Sequence, residues 1–226
     1  NHPTSFQQAV GAARHSWLGH NPDSANFSDQ PRWVEPTNVA VAYKREVFEK
    51  IGYFDESFDA CEDVDFNTRA KQAGLSCYFT PDIAVDYEPR STWKGLLYQM
   101  SRYGTGRYRL SRKHPDSITL AALVPPMWLV WLALTAIGGI FWEPLAWLCL
   151  GSIVMYSGVI VGEAIRQTLQ NPGVPTWRIA QAFLAIHLGF GLGFWRAALA
   201  KVPVSQQPQP NPKRNSSTVN GLQNVQ

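Results

Sequence analysis

Three carboxylates crowd into four positions at Glu62-Asp63-Val64-Asp65, and Phe66-Asn67-Thr68-Arg69 follows directly. A carboxylate held beside an acceptor hydroxyl can take its proton as the oxygen attacks, which is general-base chemistry. Acids at a helix start also gain ~0.3–1 kcal/mol each from the helix dipole. On its own, then, the run fits a helix cap as well as a catalytic base. Further on, Gln99 and Arg102 lie three apart in a helical pattern and share one face. An arginine fork suits a diphosphate, and a glutamine can add a hydrogen bond beside it. A plain surface pair has the same spacing, so position along the chain must decide.

The elements that would carry these residues are legible. Phe6, Val10 and Ala13 recur at helical spacing before the breakers Gly19, Asn21, Pro22 and Asp23. Residues 39–43 read as a short β-like run, and Lys44 to Ile51 as a short helix ended by Gly52. Asp63 to Ala73 is a helix with Gly74 where a left-handed C-terminal residue belongs. Leu75–Thr80 and Ile83–Tyr87 read as two strands split by Pro81-Asp82. A helix starts after Ser91 or Thr92, with Trp93, Leu96, Leu97, Met100 and Tyr103 on one stripe. Arg102, Arg107, Arg109, Arg112 and Lys113 then put five positive charges into one short stretch without an acid. Such a helix suits an anionic membrane surface. The alternation of helices and short strands indicates an α/β layer.

Charge is spread unevenly. Fifteen of the 17 acids and fourteen of the 20 basic residues precede Ser117, a composition break that predicts a domain boundary near Asp116. Ile118–Trp142, Pro144–Gly162 and Ile179–Trp195 are free of charge, and a crossing needs ~20 apolar residues. Three membrane crossings are therefore expected within residues 118–200, followed by a disordered tail at 201–226. The basic stretch before Ile118 places that end in the cytoplasm by the positive-inside rule. Three crossings then put the tail outside, although it carries Lys201, Lys213 and Arg214. Cys61, Cys77 and Cys149 have no metal-ligand spacing and, being odd in number, no disulfide framework. With only His187, Glu163 and Arg166 as polar groups near the spans, a small transporter is disfavoured.

The order of these motifs resembles the family 2 glycosyltransferases, in particular the membrane-attached branch that builds exopolysaccharides such as succinoglycan. The likeness runs through Thr37-Asn38-Val39-Ala40, Tyr43 to Phe48, Gly52 to Glu56 and Glu62 to Asp65. It continues through Arg69, Ala73-Gly74, Pro89-Arg90-Ser91, Gln99 to Gly104 and His187-Leu188-Gly189. The resemblance implies a GT-A fold over residues 1–90, an interfacial helix at 91–117 and inverting transfer from a nucleotide-sugar donor. It further implies a glycan or lipid-linked acceptor, a cytoplasmic site at a multi-pass inner membrane, and no nucleic-acid partner. It assigns catalysis to Asp63 with Glu62, and substrate binding to Asp65, Gln99, Arg102 and Tyr103. Tyr103 stands where the family's motif has Trp, which weakens any claim of processive polymerisation. A divalent metal, Mg or Mn, is implied for the intact enzyme. No Asp-x-Asp precedes residue 61, so its main site, with the N-terminal half, is expected outside this chain, leaving the chain inactive alone. Glu88 offers a weaker candidate metal ligand. A reading from another class is a non-catalytic, membrane-anchored binding or scaffolding protein.

Overall fold

The computed structural model describes residues 2–19, 28–38, 42–83 and 87–200. Helix α1 (Ser5–His15) opens with a capping box: Thr4 Oγ1 accepts from the Gln7 amide, and the Gln7 side chain accepts from the Thr4 amide. Strand β1 (Arg32–Val34) leads through a 3-10 turn at Pro36–Asn38 towards α2 (Arg45–Ile51) and α3 (Glu62–Gln72). Gly74 adopts a left-handed φ of +69°, and Leu75 and Gly74 donate back to Ala70 and Lys71. That pattern is a Schellman stop, as expected from the Ala-Gly pair.

Strand β2 (Cys77–Phe79) pairs antiparallel with β1, placing Trp33 opposite Tyr78. The second strand expected at 83–87 is not formed where it is described, since Ile83 sits in a bend; residues 84–86 lie outside the described residues. The run at 39–43 lies largely outside them too, as do the loop after Gly19 and the tail. Among the described residues the anticipated α/β layer is therefore this one ribbon set against helices.

Helix α4 (Trp93–Lys113) is capped by Thr92, whose hydroxyl accepts from the Gly95 amide. After a 3-10 turn at Pro115–Ser117 come α5 (Leu120–Gly139), α6 (Glu143–Gln170) and α7 (Thr176–Leu199). All three are long and apolar enough to cross a membrane. The composition break near Asp116 is not a packing boundary. Phe6, Val10 and Ala13 of α1 and Leu96 of α4 share one core with Ile160 and Ala164 of α6 and Phe183 and Ile186 of α7. His187 ties the halves together, bonded to the Tyr156 hydroxyl at 2.9 Å and to the Leu18 carbonyl at 2.9 Å.

Glycine lets α4 and α7 meet backbone to backbone. A Cβ at Gly189 would lie 2.6 Å from the Leu97 carbonyl oxygen, and one at Gly193 would overlap that of Ser101. Gly193→Ala is therefore expected to push the helices apart and destabilise the protein by ~1–3 kcal/mol, read as a lower Tm in detergent. Gly162→Ala on α6 is the control. Nothing stands within 4 Å of its Cβ, and the change should be neutral or slightly stabilising.

Candidate active site

The turn into α3 is held in an unusual conformation. Cys61 has a φ of +67°, and among the described residues it alone does so without being glycine. It sits at the helix start without a side-chain cap, its thiol directed at the Tyr103 carbonyl at 3.7 Å. A side chain at Gly106 would collide with the Ala60 carbonyl, so glycine there lets this turn lie against α4. Burial pushes the Cys61 thiol up to about 12, with Asp63 and Glu62 adding to the effect against Arg107. It stays a thiol at neutral pH and is no nucleophile.

Glu62 and Asp63 are exposed on the first turn of α3. Burial first, and the charge of Asp63 next, raise the Tyr43 phenol to about 12; the Tyr43 hydroxyl donates to Asn67 Oδ1 at 2.7 Å. The Tyr103 phenol is raised by burial first, and it also feels Arg14, Tyr87 and Asp63. Four elements thus converge: α1 brings Arg14, α3 brings Asp63, the segment before α4 brings Tyr87, and α4 brings Gln99 and Tyr103. The Arg14 guanidinium lies 4.5 Å over the Tyr87 ring. Gln99 Nε2 stands 3.4 Å from the Tyr87 hydroxyl and 3.3 Å from that of Tyr103. Its Oε1 is buried without a hydrogen-bond partner. Exchanging the amide's O and N would only move the unpaired end. A ligand hydroxyl would satisfy either arrangement, donating to Oε1 or accepting from Nε2, whereas a phosphoryl oxygen could only accept from Nε2.

Arg102 is already engaged. Its Nε donates to Asp59 Oδ2 at 2.7 Å and its Nη2 to Oδ1 at 3.0 Å and to the Asp59 carbonyl. The fork expected to meet a diphosphate therefore closes on a carboxylate at the surface, within reach of the charge of Glu62.

Asp65 lies elsewhere. It is fully buried, accepting from Arg69 Nε at 3.1 Å and facing Lys113 Nζ at 2.8 Å and His114 Nε2 at 2.9 Å. Lys113 also pairs with Asp55 at 2.7 Å. His114 must carry its proton on Nε2, because that nitrogen meets a carboxylate and Nδ1 meets the Gln72 amide at 3.5 Å. This geometry leaves Asp65 no surface to offer a substrate, so its expected substrate contact is corrected to a place in the packing between α3 and the end of α4. The basic stretch on α4 is free only in part, with Arg112 exposed. Arg102 holds Asp59, Arg109 donates to the Ser57 carbonyl at 2.6 Å, and Lys113 is buried.

Glu88 accepts from the Gln7 side chain at 3.1 Å. Among the described residues no group of three or more His, Cys, Asp or Glu side chains could hold a metal ion. The described residues therefore supply no such metal site. Arg14 and Tyr87 have no motif to announce them. The one signal for Arg14 is that it is the sole lysine or arginine on α1.

An acidic helix start lies beside a Gln-x-x-Arg-Tyr helix in a chain with three helices of membrane length. Residues 18–195 match the family model of Glycosyl transferase family group 2, and the chain belongs to that family. It is similar to the succinoglycan biosynthesis protein ExoA of Rhizobium meliloti (strain 1021), with 28% identity over 199 residues, or 87% of this chain. The chain spans 58% of the length of that curated relative. No solved structure matches it.

Proposed function

We propose that this chain forms the acceptor-side part of an inverting glycosyltransferase of GT-A fold. The complete enzyme moves a sugar from a nucleotide-sugar donor to a glycan or lipid-linked acceptor at the cytoplasmic face of the inner membrane. The name of the relative suggests polysaccharide biosynthesis as the setting. One observation supports the reading above others: Asp63 is exposed on a helix start whose preceding turn packs on α4 at Tyr103 and Gly106, while Asp65 of the same run is buried.

In the reaction, the acceptor O–H bond breaks as its proton passes to the Asp63 carboxylate. The freed oxygen bonds to the anomeric carbon, and the bond from that carbon to the nucleotide diphosphate breaks on the opposite face. The diphosphate leaves with the electron pair, and the configuration inverts. Gln99 and Arg102 face the leaving group. An exposed ion pair is held weakly, so a diphosphate can take Arg102 from Asp59. Enzymes of this family generally use a divalent metal, for which the described residues offer no group of three or more His, Cys, Asp or Glu side chains.

A donor screen on the complete enzyme in native membranes, reading release of nucleoside diphosphate, tests the activity. Arg102→Ala should lower kcat/KM by roughly 10–100-fold, the value of a lost charge-assisted bond, chiefly through weaker donor binding. Asp59→Asn removes the same ion pair but frees the fork, so it should leave donor affinity unchanged or improve it. Equal losses in the two variants would mean that Arg102 serves only to hold Asp59.

A further inference from the structure

Three helices have the length of a membrane span, but they are not alike. Half of the apolar window of α7 is buried inside the protein, against 11% for α5 and 6% for α6. Helices α5 and α6 form a hairpin whose levels can be read from its contacts. Trp128 stacks on Tyr156 at 4.1 Å, Trp131 donates to Ser152 at 2.8 Å, and Gly138 packs on Leu145 next to the turn.

Among the described residues, α7 makes its hydrogen bonds to this hairpin only in the half away from that turn. Thr176 bonds Thr168 at 3.0 Å, His187 bonds Tyr156 at 2.9 Å, and the Trp195 indole donates to the Pro126 carbonyl at 2.8 Å. From His187 to Trp195 the helix advances ~12 Å. Its contact nevertheless stays close to the Trp128 level, with Gly191 against Leu129 and the Pro125 carbonyl and Trp195 on Pro126. A helix crossing beside the hairpin would have gone on towards Ser152 and Leu145.

The opposite side of α7 is covered by the charge-rich half of the chain. The Leu18 carbonyl reaches His187 at its middle, and Gly189 and Gly193 meet the backbone of Leu97 and Ser101. Thr105 Oγ1 donates to the Gly193 carbonyl at 3.0 Å. If α7 crossed, its second half would carry this stretch of α4, with Arg102, Arg107 and the exposed Asp59, past the bilayer centre. Each Lys or Arg there costs ~2.5–3.5 kcal/mol. Yet α4 runs through one short turn into the start of α5, which fixes it at the hairpin's open end.

We propose that α7 is not a membrane crossing: the chain passes the bilayer twice, as the α5–α6 hairpin, and α7 lies along the near face as the beam on which α1, α4 and the candidate site are mounted. Its partner is the headgroup and upper acyl region of the bilayer. Arg178 and Arg196, near its two ends, then lie in the same leaflet. Lys201, Lys213 and Arg214 fall on the same side as the basic end of α4, which removes the conflict with the positive-inside rule that three crossings create. The inference requires membrane insertion but not sugar transfer.

Sidedness of labelling tests it. In a background with Cys61, Cys77 and Cys149 changed to Ser, single cysteines are placed by Asp116→Cys, Phe141→Cys and Ser217→Cys. A membrane-impermeant maleimide is applied to intact cells and to inside-out vesicles. Asp116→Cys and Ser217→Cys should label from one side and Phe141→Cys from the other. Labelling of Ser217→Cys together with Phe141→Cys, from both sides, or of all three from one side overturns the proposal. If the cysteine-free background fails to insert, an epitope tag after Gln226 on the otherwise unaltered chain is digested in the same two preparations. Its cleavage must follow the side of the α4 region, and cleavage on the opposite side has the same overturning force.

Discussion

In the complete enzyme, Asp63→Asn is expected to cut sugar transfer by ~10²–10⁴-fold, the usual cost of losing a general base. The substitution keeps size and hydrogen-bonding capacity and removes only the proton acceptor. Asp63 is exposed at the start of α3, and its charge reaches the Tyr43 and Tyr103 phenols. It is therefore the member of the acidic run best placed to meet an acceptor hydroxyl beside α4. Donor binding, followed by displacement of a labelled nucleotide sugar, should survive, because the base addresses the acceptor and not the diphosphate. Near-parental transfer would take Asp63 out of this role, and an equal loss in Glu62→Gln alone would move the base by one residue.

Asp65→Ala is expected to act on stability, costing roughly 3–5 kcal/mol, because it strands buried partners of a charge network. Lys113, His114 and Arg69 all meet this one carboxylate, which has no exposed surface. In a chain of this size the loss corresponds to a fall in Tm on the order of 6–20 °C, measured in detergent or nanodiscs. Asp65→Asn keeps one acceptor oxygen but sets an NH2 donor against the other partners, so it should recover only part of this loss. A substrate ligand would behave differently, raising a KM at an unchanged Tm. That outcome would return Asp65 to the site.

These two aspartates measure how far the sequence could be read. The helix carrying them, its glycine stop and the Thr92 cap of α4 were all legible, because capping and periodicity are local. Gln99 and Tyr103 were singled out by motif and do meet, through bonds one helical turn apart. Arg14 and Tyr87 were not singled out, since nothing local distinguishes an arginine on α1 that will lie over a tyrosine just before α4. The strand at 77–79 was anticipated, but its partner at 32–34 was not, because pairing is a choice between distant segments.

The sequence by itself determined the order of helices, three runs of membrane length and an acidic helix start ahead of a Gln-x-x-Arg helix. Only the tertiary structure decided which acid faces outward. Residues two apart lie on nearly opposite sides of a helix, yet what stands on each side comes from elsewhere: Lys113 and His114 from the end of α4 enclose Asp65, and Asp63 is left exposed. The same holds for the basic residues of α4, whose charge is legible in composition but whose partners Asp55, Asp59 and Asp65 are brought by folding. It holds for α7 as well. An apolar helix meets lipid or protein according to what packs against it, and here α1 and α4 cover a helix whose composition alone describes a span.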